Sequence, residues 1–142
     1  NASAGFIEFY TLPMKLAQRA EKTVLLSIGK RTNKLKLLPE IKKLHTMGYK
    51  LYATYKTHKF LKSNNLEAIE VNKISQPHLK PNLADLLNAN RFDLIINIPT
   101  GKKVAASDGK IIRKKAVEHN VPLITTVNVA QEFIQKLQAA KV

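Results

Sequence analysis

Cysteine is absent from this 142-residue chain. The sequence therefore offers no disulfide framework and no thiolate for catalysis, which suits a reducing compartment, and we expect a cytoplasmic protein. Long apolar runs are absent too: none approaches the roughly 20 residues that span a bilayer, and no signal-peptide pattern is present. We therefore expect no membrane partner.

Acidic residues are scarce: 10 Asp and Glu stand against 24 Lys and Arg, and the formal net charge is +14. Such an excess favours anionic partners, namely phosphorylated ligands, nucleic acid or acidic protein surfaces. The pattern argues against a dedicated nucleic-acid-binding protein, because the lysines are spread along the chain and arginine is scarce. Aromatic residues are also not interleaved with the basic ones. Most of the charge is expected to form a solvated lysine surface.

The motifs of several enzyme classes are also missing. No Gly-x-Gly-x-x-Gly follows the first predicted strand, and Gly101-Lys102 lacks the rest of a phosphate-binding Walker loop. The four histidines are scattered, with no His-x-x-x-His pair and no carboxylate cluster, so we predict no metal site. We also expect no cofactor.

An apolar content of 44% is typical of a globular domain with its own core. Residues 1–21 lack a clean hydrophobic period and contain Pro13. We interpret them as a tag remnant (Asn1-Ala2) followed by a linker or N-terminal arm. Residues 22–142 are expected to form the domain.

Short apolar runs alternate with helical patterns from Thr23 onward, which predicts a parallel sheet with right-handed crossovers. The expected fold is an α/β, doubly wound, three-layer sandwich with a five-stranded sheet and five helices. The basic, polar Lys30–Lys34 segment is expected to be a loop, with Pro39 in the first turn of the helix that follows. The predicted strands are Thr23–Gly29, Lys50–Thr54, Ala68–Val71, Phe92–Ile98 and Val121–Thr126.

The segment Thr54-Tyr55-Lys56-Thr57 lies where the second strand ends and a helix begins. The first amides of a helix have no intrahelical partner and its dipole favours negative charge, so this turn is suited to a phosphate. Lys56 adds a full positive charge. Ligands of such sheets bind at the carboxyl ends of the strands, and the other strand ends also carry hydroxyl, amide or lysine groups.

Carboxylates are nearly absent from these strand ends. Asp108 is the only acidic residue near the predicted cleft, and we expect it to cap the following helix. General acid–base chemistry needs a carboxylate or histidine in the cleft. The sequence therefore predicts a site that binds anions rather than one that performs acid–base catalysis.

Several segments together resemble the methylglyoxal synthase-like domain, above all the version at the C-terminus of the carbamoyl phosphate synthetase large subunit. The resemblance runs from about Lys22 to Ala139. It is carried by Thr23–Gly29, Gly48-Tyr49, Leu51–Thr57, Val71-Asn72-Lys73, Asp93–Asn97 and Ile112-Arg113. It implies an allosteric domain that binds a uridine or inosine nucleotide or phosphoribosyl pyrophosphate and signals to synthetase domains of the same polypeptide, in pyrimidine or arginine biosynthesis.

The resemblance also implies which residues bind the effector. The phosphate would be held by Lys34, Thr54, Thr57 and Lys73, and Asn97 would contact the rest of the effector. To these positions we add Lys56, for its charge in the turn, as a phosphate contact and Thr100, which follows the fourth strand, as a contact of the rest of the effector. The alternative is that the threonines are helix caps and the lysines are solvated.

Departures from the family pattern bear on the ligand. Tyr55-Lys56 stands where nucleotide-binding relatives often have His-Gly. Ile98-Pro99 replaces a pair of hydroxyl residues, as in animal versions, one of which binds an acetylated amino acid. That animal enzyme has tryptophan at the position of Lys73, so Lys73 favours a phosphorylated effector here.

The alternative function within this resemblance is a true methylglyoxal synthase, which eliminates phosphate from dihydroxyacetone phosphate. That enzyme uses an aspartate in a Gly-Gly-Asp-Gln motif, where this chain has Gln76–Pro81 and no carboxylate. A second aspartate is replaced by the Ile98–Thr100 segment. We therefore expect the domain not to be catalytic, and a nucleic-acid-binding module is the third alternative.

Overall fold

A five-stranded sheet forms the centre of the protein, and every pair of neighbouring strands in it is parallel. A computed structural model describes residues 13, 21–101 and 107–140. The strand order is β3-β2-β1-β4-β5, which confirms the predicted doubly wound sheet. The strands are β1 (Thr23–Ile28), β2 (Lys50–Thr54), β3 (Ile69–Val71), β4 (Leu94–Ile98) and β5 (Leu123–Ile124).

Helices cover both faces of this sheet and alternate with the strands, as predicted. They are α1 (Arg31–Thr46), α2 (Tyr55–Ser63), α3 (Leu83–Asn88), α4 (Ser107–Glu118) and α5 (Val127–Ala140). Alternate residues of β1 point to opposite faces, so Leu26 packs with α1, α2 and α5, whereas Leu25 packs with α3 and α4. No described helix is long and apolar enough to cross a membrane.

The central strand β1 is fastened to β4 at both of its ends. At its start, the Asp93 carboxylate accepts hydrogen bonds from the backbone and hydroxyl of Thr23. At its far end, the Gly29 amide donates to the carbonyl of Ile98 at 2.7 Å. A side chain at Gly29 would meet the backbone nitrogen of Thr100 at 2.7 Å, so glycine allows the loops after β1 and β4 to approach closely.

The first helix begins earlier than the sequence predicts, because α1 starts at Arg31 and includes all of the predicted Lys30–Lys34 loop except Lys30, its N-cap. Pro39 consequently lies inside the helix instead of in its first turn. Lys34 is buried on the same face of the helix as Leu37 and Ile41, so the buried face begins about one turn before Leu37. Pro39 is tolerated because it lies on the exposed side of the helix, where water can replace the hydrogen bond that proline cannot donate.

Two predicted features fall where the structure gives little or no description. The proposed tag remnant and N-terminal arm, residues 1–21, lie outside the described residues except for Pro13 and Glu21. The loop after β4 is described only as far as Gly101 and resumes with α4 at Ser107.

Candidate anion-binding site

The N-terminus of α2 lies at the carboxyl edge of the sheet and has no side-chain cap. Thr54 occupies the N-cap position with extended backbone angles, φ −71° and ψ 163°. Its hydroxyl does not cap the helix but donates to the Ser27 hydroxyl at 3.2 Å. The first amides of α2 therefore lack a side-chain acceptor and can receive an external anion. The interpretation of Thr54 as a side-chain cap is wrong.

Thr57 joins α2 to the end of β1. Its side chain is almost completely buried, and its oxygen accepts a hydrogen bond from the Ile28 amide at 3.0 Å. The same hydroxyl lies 3.4 Å from the Ile28 carbonyl, to which it donates. Because a hydroxyl has one proton, Thr57 can donate to a phosphate only by giving up this long second bond. Its role as a phosphate ligand stays a prediction.

A row of polar side chains crosses the sheet beside this helix end. Ser27 is paired in register with Asn97 of β4, and it contacts Thr54 of β2 on its other side. The alternation of β1 and β4 places these side chains on the face covered by α3 and α4. Sequence reasoning missed Ser27, although a serine among the apolar residues of a buried strand was a usable signal.

Asn97 ends this row with an unused donor. Its side chain is 5% exposed, and its Nδ2 has no hydrogen-bond partner among the residues that the structure describes. A buried polar group left unpaired costs about 1–3 kcal/mol. An acceptor atom of a bound molecule would satisfy it, as the prediction that Asn97 contacts an effector requires.

Three cations converge near the start of α1 and α2. Lys34 is 8% exposed, and its pKa is lowered by burial, by Lys56 and by Arg31, in that order of importance. No carboxylate among the described residues pairs with the Lys34 ammonium. The structure thus places Lys56 near Lys34, and Lys34 is not a solvated surface lysine. That the two lysines bind a phosphate stays a prediction.

Lys73 and Thr100 occupy the loops that flank this centre. Lys73 lies two residues beyond Val71, the register partner of Thr54, and its side chain is exposed. Its ammonium makes no ion pair or hydrogen bond with any described residue. Thr100 is exposed and lies against Gly29, on the loop after β4. Both residues lie just beyond the carboxyl ends of their strands, β3 and β4.

Asp108 lies within the first turn of α4, not at the N-cap position expected for it. Its Oδ2 accepts a hydrogen bond from the Ile74 amide at 3.4 Å. It therefore joins α4 to the loop after β3. The sequence did not predict this contact, because the two residues are 34 positions apart. No group of three or more His, Cys, Asp or Glu side chains suited to a metal ion occurs in the described ranges.

Comparison with known proteins identifies similar chains. A family model for the MGS-like domain matches residues 36–125. The chain is 36% identical over 121 residues to the carbamoyl phosphate synthase large chain, C-terminal section, of Methanopyrus kandleri, covering 85% of this chain and 22% of that protein. The corresponding protein of Methanocaldococcus jannaschii is 39% identical over 118 residues, covering 83% and 19%.

A bacterial relative is also a carbamoyl phosphate synthase large chain. The carbamoyl phosphate synthase large chain of Clostridium botulinum strain Eklund 17B is 36% identical over 124 residues, covering 87% of this chain and 11% of that protein. The chain thus spans less than a quarter of the length of each of these three relatives.

Proposed function

This chain belongs to the MGS-like domain family, and on that premise we propose that it is the allosteric effector-binding domain of a carbamoyl phosphate synthetase. Its ligand would be a phosphorylated small molecule, such as a uridine or inosine nucleotide or phosphoribosyl pyrophosphate. The relatives named above support the first part. The observation that carries the second is Lys34, a buried cation beside Lys56 and the uncapped start of α2, with no described carboxylate to neutralise it.

Each group of the site has a distinct part in this proposal. The first amides of α2 donate to phosphate oxygens, and Lys34 and Lys56 neutralise their charge. The Thr54 hydroxyl joins them by giving up its bond to Ser27. Thr57 keeps the helix start against β1 and offers its own amide. Lys73 approaches the phosphate from the loop after β3.

The remainder of the effector would lie over the end of β4. Asn97 donates an Nδ2 hydrogen to an acceptor on the ligand, and Thr100 borders the same region. A base or sugar carries such acceptors, so a nucleotide satisfies both parts of the site. No bond of the effector is made or broken here.

Control would operate through differential affinity for two conformations. An effector that binds one conformation more tightly shifts the attached synthetase domains of the same polypeptide toward that conformation. The partners in this proposal are therefore the ligand and the rest of a longer chain. Roles in pyrimidine or arginine biosynthesis and a cytoplasmic location stay predictions.

Calorimetry tests the proposed pocket directly. We expect uridine or inosine monophosphate or phosphoribosyl pyrophosphate to bind, and N-acetylglutamate to bind more weakly or not at all. Lys34→Met and Lys73→Ala should each lower the affinity about tenfold or more, since each removes a charge-assisted bond. Lys62→Ala is the matched control, because it removes an exposed lysine from the opposite end of α2. Equal losses of affinity in all three variants would mean that the ligand is attracted by the net positive charge and not by a specific pocket.

The enzymatic alternative has its own test. The Gln76–Pro81 segment contains no carboxylate, and the Asp108 carboxylate is bonded to the Ile74 backbone; both observations favour binding without catalysis. We expect no methylglyoxal from dihydroxyacetone phosphate, and its enzymatic formation would overturn this part of the proposal. Tight, strongly salt-dependent binding of DNA or RNA would instead support the nucleic-acid alternative.

A further inference from the structure

We propose that Asn82 is a positioning residue for Lys73, fixing the peptide from which this lysine reaches the effector phosphate. The inference rests on the proposed function and adds to it a residue that neither the sequence pattern nor the resemblance identifies. Asn82 lies nine residues beyond Lys73, at the start of α3, on the face of the sheet opposite α1 and α2. It contacts the backbone of the loop, not the ligand.

Every hydrogen-bonding group of the Asn82 side chain has a partner. It is 2% exposed, and its Oδ1 accepts from the Ala84 amide at 3.0 Å, which caps α3. Its Nδ2 donates to the Lys73 carbonyl at 2.8 Å and to the Gln76 carbonyl at 3.0 Å. One buried amide group thus closes the loop after β3 onto the helix that follows.

The amide group of the same Lys73–Ile74 peptide is held as well. The amide of Ile74 donates to Asp108 in the first turn of α4. The carbonyl of Lys73 and the amide of Ile74 belong to the same peptide unit, so that unit is held by α3 through Asn82 and by α4 through Asp108. Its orientation sets the direction in which the Lys73 side chain leaves the loop.

Backbone position matters more for Lys73 than for Lys34. Lys34 is fixed by burial within α1, whereas Lys73 is exposed and its ammonium bonds to no described residue. A long, exposed side chain samples many rotamers and loses that freedom on binding. Anchoring its peptide restricts the volume that the ammonium explores, and therefore raises the fraction of conformations that reach the phosphate.

The test is a double-mutant cycle between Asn82→Ser and Lys73→Ala, with inorganic phosphate as the probe in NMR titrations. Serine retains an oxygen that can cap α3 but cannot reach both carbonyls of the loop. We expect Asn82→Ser to weaken phosphate binding roughly three- to tenfold, the size of a hydrogen bond's contribution. In the Lys73→Ala background the same substitution should cause no further loss.

A control variant separates positioning from stability. Asn64→Ser removes a comparable bond, from Asn64 Nδ2 to the Phe60 carbonyl at 2.9 Å, at the C-terminal end of α2. It should lower thermal stability without changing phosphate affinity. In Asn82→Ser, faster hydrogen exchange at the Ile74 and Gln76 amides should accompany the weaker binding.

The outcomes separate the positioning role of Asn82 from the proposed phosphate pocket. If Lys73→Ala weakens phosphate binding but Asn82→Ser does not, or if Asn82→Ser weakens it equally in both backgrounds, the positioning role is wrong and the proposed pocket survives. If Lys73→Ala itself leaves the affinity unchanged, Lys73 is not a phosphate ligand. The pocket as proposed and the role of Asn82 then fail together.

Discussion

Lys34 carries a positive charge into a part of the protein where no described carboxylate neutralises it. Burial and the neighbouring Lys56 and Arg31 lower its pKa below the ordinary value of 10.5. Between the lowered pKa and the ordinary one, the unfolded chain binds more protons than the folded chain, so the free energy of unfolding rises with pH. Below the lowered pKa the full cost of the buried charge is present.

Replacing this residue tests whether stability has been given up for binding. Lys34→Met keeps a long side chain and removes the charge, so we expect the free energy of unfolding at pH 7 to rise by about 1 kcal/mol. The alkaline increase in stability should shrink, and phosphate affinity should fall. Urea unfolding at neutral and alkaline pH measures both effects. Lys62→Met should alter neither the pH profile nor phosphate binding appreciably, and a destabilised Lys34→Met would contradict this view.

Thr57 has the opposite character, because its hydroxyl is already satisfied within the protein. Thr57→Val has nearly the same shape but leaves the Ile28 amide without its side-chain acceptor. Leaving a buried donor unpaired should lower the free energy of unfolding by about 1–3 kcal/mol. Thr57→Ser, which keeps the hydroxyl, should lose clearly less in the same urea titration. Equal losses would indicate that the methyl group, not the hydroxyl, stabilises this contact.

At the scale of whole elements, α1 contains an uncommon feature in Pro39. A proline in a helix interior removes one hydrogen bond and is unfavourable by roughly 3 kcal/mol relative to alanine. Because Pro39 is exposed, Pro39→Ala should restore the bond to the Leu35 carbonyl without disturbing the core. We expect the free energy of unfolding to rise by about 1–2 kcal/mol, less than the full value because alanine also frees the unfolded chain. Thermal unfolding by circular dichroism measures the change, and a loss would show that the helix is adapted to proline.

The alternation of elements was predictable because it depends on local patterns. Apolar runs such as that of β1 and the spacing of Leu37, Ile41 and Leu44 specify strand and helix within a short window. The start of α1 was mispredicted because proline is common in first turns and the preceding residues are polar. Tertiary burial of Lys34 outweighed both signals, and no local pattern contains that information.

The site was predictable to the extent that it follows from strand ends. The carboxyl-edge rule located Thr54, Lys34 and Asn97, since parallel strands bring their ends to one edge. It could not show that the Thr57 hydroxyl contacts Ile28, a partner 29 residues away. It also could not identify Asn82 or the contact of Asp108, because their partners depend on the path of one loop.

At the scale of the whole molecule, the net charge of +14 makes the folded chain repel itself. We expect the free energy of unfolding to rise, by on the order of 1 kcal/mol, as sodium chloride increases from about 0.02 M to about 0.3 M. Phosphate at matched ionic strength should add a further increment through specific binding. Urea midpoints with an unchanged slope would measure both effects. Lys34→Met should retain the general salt effect and lose much of the phosphate increment.

The position of β1 at the centre of the sheet affects how the chain reaches its fold. The bonds between Thr23 and Asp93 join residues separated by 70 positions, whereas β1 and β2 are connected through a single helix. The pairing of β1 with β4 joins distant parts of the chain and therefore raises the contact order. Closing the long loop between these two strands is the step of folding that costs the most conformational entropy. During synthesis, β1, β2 and β3 can pair first. The apolar edge of β1 then stays open until β4 emerges, which is the interval in which an unpaired edge invites aggregation.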